Sequence, residues 1–328
     1  MKLVVAVSVA LALAAAVASI AHGEFILSAV WTVRDDGSAR QILAVLPSGV
    51  VIDRAGDRVA LSTDEGLVVA RLDAGGHVVF PDTKNVGSAV FSPSSNSIAF
   101  TAWANGSYGL YVARADGTAV RRADVSASPA AWSLDGRSIV FASGVVGKRA
   151  DLVTERVDGS GRRVLARGGF SDLLRPPYVS PDGRSIAYDC ANTQGGGFCI
   201  VRDRTTRRYL HGGFDPVWSP TGRLVATTII GNLNSGLDVV DVATGARRVV
   251  APVPDLIGVD FTPLAWSPDG RRLLYQRRCG AGLRPPQCVT AVYVRTITTG
   301  KDRRISVDGL RWTLAQWRGH TVTYVTQP

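Results

Sequence analysis

Apolar and polar residues alternate in short runs from residue 28 to the end of the chain, and two kinds of run take turns. The first kind is an apolar stretch, a turn such as Ser-Pro-Asp-Gly-Arg, and a stretch rich in β-branched and aromatic residues. In such a turn Pro fixes φ, Ser or Asp caps with a side-chain oxygen, and Gly accepts angles that other residues resist. The pattern predicts two antiparallel strands, a and b. Copies lie at Asp53–Leu61, Ser92–Phe100, Ser133–Phe141, Ser180–Tyr188, Ser219–Thr227, Ser267–Tyr275 and, in degenerate form, Trp317–Tyr324.

The second kind of run alternates apolar and polar residues and then turns, in most copies at Asp-Gly or Thr-Gly. This is the signature of a β-hairpin, and it supplies two further strands, c and d. Its copies begin at Ala29, Gly66, Gly109, Asp151, Phe198, Gly236 and Ala291. Because the two hairpins alternate along the chain, the repeated unit has four strands.

The six clear copies of the first hairpin start 39 to 48 residues apart, which is the spacing of four-stranded propeller blades. The chain begins with a c–d hairpin near residues 28–44 and ends with an a–b hairpin near 310–326. These two half-blades can complete each other and so remove exposed strand edges. We therefore predict an all-β, seven-bladed β-propeller closed by pairing the N-terminal c–d strands with the C-terminal a–b strands. A six-bladed ring with loose ends is the alternative.

The motif Trp-Ser-Pro-Asp-Gly-Arg-x-(Leu/Ile)-x-(Phe/Tyr), followed by a strand that ends in Asp-Gly-x-x-Arg-Arg, resembles the TolB-like propeller repeats, which are related to WD repeats. The resemblance covers residues 25–328 and implies the fold far more specifically than a function. TolB itself also carries an N-terminal α/β domain. The stretch between Ala21 and Ala29 has no room for such a domain, so a Tol–Pal envelope role is not implied.

The first 21 residues are typical of an export signal. Lys2 provides a positive start, residues 3–21 are apolar or small, and Ser19-Ile20-Ala21 offers a cleavage site. An uncleaved membrane anchor is the alternative, since 19 apolar residues nearly span a bilayer. No later segment is long and apolar enough to do so. We expect residues 1–21 to be a signal peptide and the chain to be extracytoplasmic, either periplasmic or secreted.

Four cysteines form two pairs, and the members of each pair are nine positions apart. The two cysteines of each pair flank a predicted b–c loop, residues 191–198 or 280–287. They therefore stand opposite each other on neighbouring strands, with their Cβ atoms close enough for a disulfide. An oxidising compartment preserves disulfides. We predict Cys190–Cys199 and Cys279–Cys288. A zinc site would need all four thiolates at one point, whereas the pairs lie in blades separated by another blade.

The formal net charge of +10 comes from 33 Arg and 4 Lys against 27 Asp and Glu. Arginine pairs recur early in strand d, the predicted outer edge of each blade, where charge discourages pairing with other chains. A basic rim that binds an acidic envelope polymer is the alternative. Nucleic acid is not expected, because aromatic residues are not interleaved with these arginines. The pairs are Arg121-Arg122, Arg162-Arg163, Arg207-Arg208, Arg247-Arg248 and Arg303-Arg304.

The sequence shows no group of residues that is typical of a catalytic site. Its four histidines, His22, His77, His211 and His320, fall in separate places and do not suggest a triad or a metal site. The strands predicted to line the central channel are apolar and contain no pair of carboxylates for glycosidase-type acid–base work. We expect no enzymatic activity, no cofactor and no metal.

The b–c and d–a loops share one face of the predicted ring, here called the loop face. Loops on a rigid scaffold often carry recognition, and aromatic residues and Arg are frequent interface anchors, although some of these aromatics could simply cap the core. We predict a non-catalytic, monomeric scaffold that binds a protein or peptide partner there. The alternatives are a propeller-type carbohydrate lyase or hydrolase, and a polyanion or cell-envelope adhesion module. The candidate binding residues are Trp103, Tyr108, Lys148, Arg149, Phe170, Arg175, Tyr178, Phe214, Arg278 and Arg284.

Overall fold

The computed structural model describes residues 29–45, 50–72, 76–80, 82–104, 106–144, 150–170, 175–190, 197–202, 205–210, 215–230, 234–252, 254, 258–280, 283, 288–306 and 311–327. Within these ranges the chain forms β-strands and turns, and none of it is helical. A membrane-spanning helix is accordingly not found in the described part. The predicted signal peptide, residues 1–21, lies outside the described residues.

The described strands form seven four-stranded antiparallel sheets, each a blade of a propeller. The chain opens with β1 (Ala29–Arg34) and β2 (Gln41–Val45). Blade 1 contains β3 (Val50–Ala55), β4 (Arg58–Thr63), β5 (Gly66–Arg71) and β6 (His77–Val79). Blade 2 contains β7 (Lys84–Phe91), β8 (Ser97–Ala104), β9 (Ser107–Arg114) and β10 (Arg121–Asp124). Blade 3 contains β11 (Ala131–Trp132), β12 (Ser138–Ser143), β13 (Ala150–Arg156) and β14 (Arg163–Phe170).

The remaining blades follow the same order of strands a to d. Blade 4 contains β15 (Tyr178–Val179), β16 (Ser185–Asp189), β17 (Gly197–Arg202) and β18 (Thr205–Leu210). Blade 5 contains β19 (Val217–Trp218), β20 (Leu224–Ile230), β21 (Ser235–Asp241) and β22 (Arg247–Ala251). Blade 6 contains β23 (Val259–Trp266), β24 (Arg272–Cys279), β25 (Ala291–Thr296) and β26 (Asp302–Ser306). The chain ends with β27 (Arg311–Arg318) and β28 (Thr321–Gln327).

Blade 7 joins the two ends of the described chain, in the order β27, β28, β1, β2. β1 and β28 are antiparallel, and the register runs from Ala29 opposite Thr326 to Arg34 opposite Thr321. The Trp31 indole donates to Thr326 Oγ1 at 3.0 Å across this seam. The predicted seven-bladed ring and its closure are therefore confirmed, and the six-bladed alternative is wrong.

Hydrophobic clusters of described residues lie between all neighbouring blades, one at each of the seven junctions. Between blades 1 and 2, for example, the Phe100 ring lies 5.6 Å from that of Phe80 and 5.5 Å from that of Tyr111. Each blade thus buries both of its faces. Strands without a solvent face favour continuous apolar runs, and Leu110, Tyr111, Val112 and Ala113 in β9 are buried in this way.

The recurring Trp at the end of strand a links neighbouring blades close to the ring axis. The indole N–H of Trp132 donates to the Val90 carbonyl in strand a of the preceding blade. In the same way, the indole of Trp218 donates to the Tyr178 carbonyl, and that of Trp266 donates to the Val217 carbonyl. The distance from nitrogen to oxygen is 2.9 Å in all three hydrogen bonds. These bonds explain why a large side chain with one donor recurs at this position.

The a–b turns are held by a repeated hydrogen-bond network within five residues. In blade 3 the Ser133 hydroxyl donates to Asp135 Oδ1 at 2.6 Å, and the backbone N–H of Ser138 donates to Ser133 Oγ at 2.9 Å. The hydrogen bond from the Ser133 hydroxyl, and then the one from the backbone N–H of Arg137, lower the pKa of Asp135 below its ordinary value. Gly136 adopts a left-handed φ of 66°, which favours glycine. The a–b and c–d turns share one face of the ring, the turn face, opposite the loop face.

Several of the paired arginines bind carboxylates inside the fold. Arg121 and Arg162 both contact Glu155, at 2.9 and 3.2 Å, and Arg162 also contacts Asp124 at 2.5 Å across the junction of blades 2 and 3. Arg247 pairs with the fully buried Asp238. Sequence reasoning missed these pairs, because the partners lie in other strands and have no fixed spacing from the arginines. Part of the basic charge is therefore neutralised within the structure.

Candidate functional site

A central cavity of about 720 Å³ lies on the ring axis. Strands a of blades 1 to 5 line it, mainly with apolar side chains, as the sequence predicts. Pro129, Pro177 and Pro216 stand at or before the first residues of these strands. Strand a is the inner edge of its blade, where proline's missing N–H leaves no ladder bond unmade. The cavity walls also carry Phe91, Trp132 and Trp218.

One carboxylate, Asp53, stands among the described residues that line this cavity. The sequence motif placed Asp53 at the first position of the turn, but the structure places it within β3, opposite Ala60. The reason is that blade 1 turns tightly around Gly56, at a left-handed φ of 61°, so strand a continues past Asp53 and pairs as far as Ala55 opposite Arg58. Asp53 Oδ2 accepts the backbone N–H of Phe91 at 2.6 Å. Burial raises the pKa of Asp53 to about 6, although the backbone N–H groups of Phe91 and Arg54 oppose this increase.

A second polar group lies beside the cavity-lining residues Tyr178 and Pro216 of blades 4 and 5. Arg175 Nη1 is 2.8 Å from Asp215 Oδ1, and its Nε is 3.5 Å from Asp189 Oδ2. The Tyr178 hydroxyl donates to Asp215 Oδ1 at 3.3 Å. Burial, and then the charges of Asp215 and Asp189, raise the pKa of Tyr178, so this phenol stays neutral. Two carboxylates beside this part of the cavity wall therefore contact the same arginine, and we call these four residues the Arg175 group.

Blade 2 presents a row of exposed side chains at its loop-face end. Trp103 on β8 stands directly opposite Lys84 on β7 and Tyr108 on β9. Residues directly opposite each other point to the same side of a sheet. Trp103 is 47% exposed and Tyr108 is 44% exposed, and Lys84 is exposed as well. We call Lys84, Trp103 and Tyr108 the aromatic row.

Both predicted disulfides are present at b–c hairpins of the loop face. Cys190–Cys199 has a Cα–Cα distance of 5.6 Å, and Cys279–Cys288 one of 5.9 Å. The first is buried in the cluster between blades 3 and 4, whereas Cys279 is half-buried. Beside it, Arg278 lies 3.7 Å from Asp260, and both side chains are largely exposed.

The structure separates the candidate binding residues that it describes into three places. Trp103 and Tyr108 belong to the aromatic row, Arg175 and Tyr178 to the Arg175 group beside the cavity wall, and Arg278 to blade 6. Phe170 ends β14, and its side chain is not described. Four others, Lys148, Arg149, Phe214 and Arg284, lie outside the described residues.

Sequence reasoning missed four functional candidates: Asp53, Lys84, Asp189 and Asp215. Lys84 could not have been found from strand register, because regular pairing of β7 and β8 would place Val86 opposite Trp103, and an irregularity between Lys84 and Ser88 places Lys84 there instead. Asp189 and Asp215 meet only through the ring, and neither belongs to a repeated motif. Among the described residues, no three His, Cys, Asp or Glu side chains are grouped closely enough to hold a metal ion.

Neither a scan against protein-family models nor a search of curated proteins found a match. Solved structures do match. A putative TolB from Agrobacterium tumefaciens is 14% identical over 93% of this chain and 100% of that chain, with a TM-score of 0.51. An oligogalacturonate lyase from Vibrio parahaemolyticus is 11% identical over 92% of this chain and 98% of that one, with a TM-score of 0.58. A puromycin hydrolase is 17% identical over 85% of this chain and 52% of that chain, with a TM-score of 0.57.

These neighbours have different names and low identities, so they show the fold alone. Two of the three are named as a lyase and a hydrolase, and one as TolB. The likeness to TolB agrees with the Ser-Pro-Asp-Gly-Arg repeats, which resemble the TolB-like repeat. The chain is a seven-bladed β-propeller with the fold that these proteins share, and its repeats resemble those of TolB-like propellers.

Proposed function

We propose that this chain is a non-catalytic, extracytoplasmic scaffold that binds a protein or peptide partner through its loop face, with the aromatic row as the main contact. One observation carries the proposal. Trp103 and Tyr108 are the two largely exposed aromatic residues among the side chains that the structure describes, and they stand opposite each other. A Trp–Tyr pair on a rigid sheet offers a large apolar contact at little entropic cost.

The surroundings of the aromatic row favour a peptide-like partner. Lys84 adds a positive charge beside Trp103, which suits an acidic group next to an apolar side chain on the partner. The row is held by a rigid base, because Ser88 and Thr101 hydrogen-bond to each other at 2.8 Å between β7 and β8. A contact surface that is already ordered loses little entropy on binding.

Two observations favour this proposal over the alternatives. A glycosidase-type hydrolase would need two carboxylates free to move protons, but Asp189 and Asp215 are both bound to Arg175, and Asp53 is the single carboxylate among the described residues that line the cavity. A continuous polyanion-binding rim would need all of the paired arginines, but Arg121, Arg162 and Arg247 are engaged with carboxylates in the fold.

The test compares two pairs of exposed apolar residues. Peptides are selected from a displayed random library on the wild-type chain, and their affinities are measured by calorimetry. The double variant Trp103→Ala/Tyr108→Ala should lose about tenfold or more in affinity, since each tenfold is about 1.4 kcal/mol. The control is Leu134→Ala/Val249→Ala, which removes two exposed apolar side chains elsewhere on the ring. Equal losses in the two double variants would remove the aromatic row as the site.

The natural partner is sought with the same three proteins. An extracytoplasmic fraction is passed over each, and bound proteins are identified by mass spectrometry. A partner that binds the wild type and the control, but not the aromatic-row variant, supports the proposal. Turnover of an acidic polysaccharide by the purified wild type would overturn the non-catalytic assignment.

A further inference from the structure

The central cavity has the size and composition of a small-molecule site. Its volume of about 720 Å³ falls within the range of about 300–1,000 Å³ that is typical of ligand pockets. The walls combine prolines and aliphatic residues with Phe91, Trp132 and Trp218. Such walls exclude water from an apolar ligand on several sides, and aromatic rings also attract cations.

The charge in these walls is negative and lacks a cationic partner. Among the described residues, Asp53 forms no ion pair with Arg or Lys, and its hydrogen-bond contact is the Phe91 N–H. The adjacent Arg54 reaches the other way, to blade 7, where its Nη1 donates to Gln316 Oε1 at 3.3 Å. A carboxylate in an apolar wall without a counter-charge is costly to ionise, so a cation that enters the cavity gains its full attraction.

We propose that the central cavity binds an organic cation, a ligand with one ammonium or amidinium group on an apolar body, and that Asp53 is its counter-ion. This site is distinct from the aromatic row, and it goes beyond the proposed binding of a protein or peptide. The apolar body contacts the prolines and aromatic rings of strands a, while the cationic group lies against the Asp53 carboxylate.

The test measures charge discrimination in the wild-type chain by calorimetry and by the fluorescence of Trp132 and Trp218, at about pH 8. The probes are 4-phenylbutylammonium, its neutral analogue 4-phenylbutanol, and the anion 4-phenylbutyrate. The ammonium should bind about tenfold more tightly than the alcohol, and the anion more weakly than both. Equal binding of ammonium and alcohol, or no binding of the ammonium, would overturn the proposal.

Two substitutions locate the site. Asp53→Asn keeps an oxygen for the Phe91 N–H and should reduce ammonium affinity about tenfold while leaving alcohol affinity unchanged. The matched control is Asp57→Asn, which removes an exposed carboxylate from the turn of the same hairpin, where it pairs with Arg71 at 2.9 Å. If both variants retain ammonium binding, the assignment to Asp53 is wrong. Trp103→Ala/Tyr108→Ala should bind the ammonium like the wild type, so the two proposals can fail separately.

Discussion

The turn face and the loop face are connected by the same strands, yet their side chains are arranged differently. On the turn face, Ser133, Ser180 and Ser267 each donate to an Asp two residues later, at 2.5 to 2.6 Å. On the loop face, blade 2 carries exposed aromatics, blade 4 carries a buried disulfide beside Asp189, and blade 6 carries a half-buried disulfide. The repeat therefore builds the scaffold, and departures from it mark the candidate sites.

The strongest way to sharpen this comparison is to remove the same residue type near each face. Trp132→Ala leaves a cavity and deletes the indole hydrogen bond to Val90, so it should lower the free energy of unfolding by about 3–5 kcal/mol. Trp103→Ala removes a side chain that is 47% exposed and should change the free energy of unfolding by less than about 0.5 kcal/mol. Urea unfolding followed by circular dichroism measures both. Similar losses would contradict the division between scaffold and site.

The two disulfides allow a comparison within the loop face. Replacing Cys190 and Cys199 by Ser opens a ten-residue loop and should cost roughly 2–3 kcal/mol by chain entropy. The same change at Cys279 and Cys288 should cost less, because Cys190 and Cys199 are both buried between blades and Cys279 is not. Thermal unfolding of the two double variants, with the wild type as reference, gives the order. A larger loss of stability for the Cys279/Cys288 variant would show that burial does not determine how much each disulfide stabilises the fold.

Asp53→Asn tests the cavity wall through pH. Because the pKa of Asp53 rises from 3.8 to about 6 in the folded chain, the folded state holds the proton more tightly than the unfolded state. The stability from this group is present below the unfolded pKa and is lost as the pH rises through about 6. Asn cannot ionise, so between about pH 4 and pH 8 the variant should gain about 1–3 kcal/mol relative to the wild type. Parallel pH–stability curves would show that Asp53 is well solvated.

The smallest effect is expected for a single turn. Ser133→Ala removes the bonds to Asp135 and from the Ser138 N–H, and it should cost about 0.5–1.5 kcal/mol. Ser180→Ala should cost a similar amount, because its network is the same. Urea unfolding of both variants checks this equivalence, and a large difference between them would show that the turns are not interchangeable.

The fold was predictable because its signals are local and repeated. The Ser-Pro-Asp-Gly turn, the Asp-Gly hairpin and the Cys spacing each lie within about ten residues, so the sequence contains the whole interaction. The count of hairpins then fixed the ring closure. The sites were less predictable, because they depend on contacts across the ring. Arg175 lies 40 residues from Asp215, and nothing in the sequence relates the two.

Asp53 shows a second reason why the sites were hard to predict: a residue that aligns with a repeated motif can occupy a different position in the structure. By alignment it takes the place of the turn serines, and that alignment places it on the surface. Only the tighter turn at Gly56 moves it into a strand that faces the cavity. A shift of the turn by a few residues therefore places a predicted turn residue in the cavity wall, as a candidate ligand-binding group. The spacing of the motifs in the sequence does not reveal this shift.

The seam between β1 and β28 has a consequence for how the protein is made. β1 is synthesised nearly three hundred residues before its partner strand, which ends at Gln327. Until β28 leaves the ribosome, β1 has an unpaired edge and Trp31 lacks its partner at Thr326. Six blades can form in order, but the ring can close only after β28 has been made. A chain that lacks β28 would therefore carry a permanently open strand edge, ready to pair with another copy.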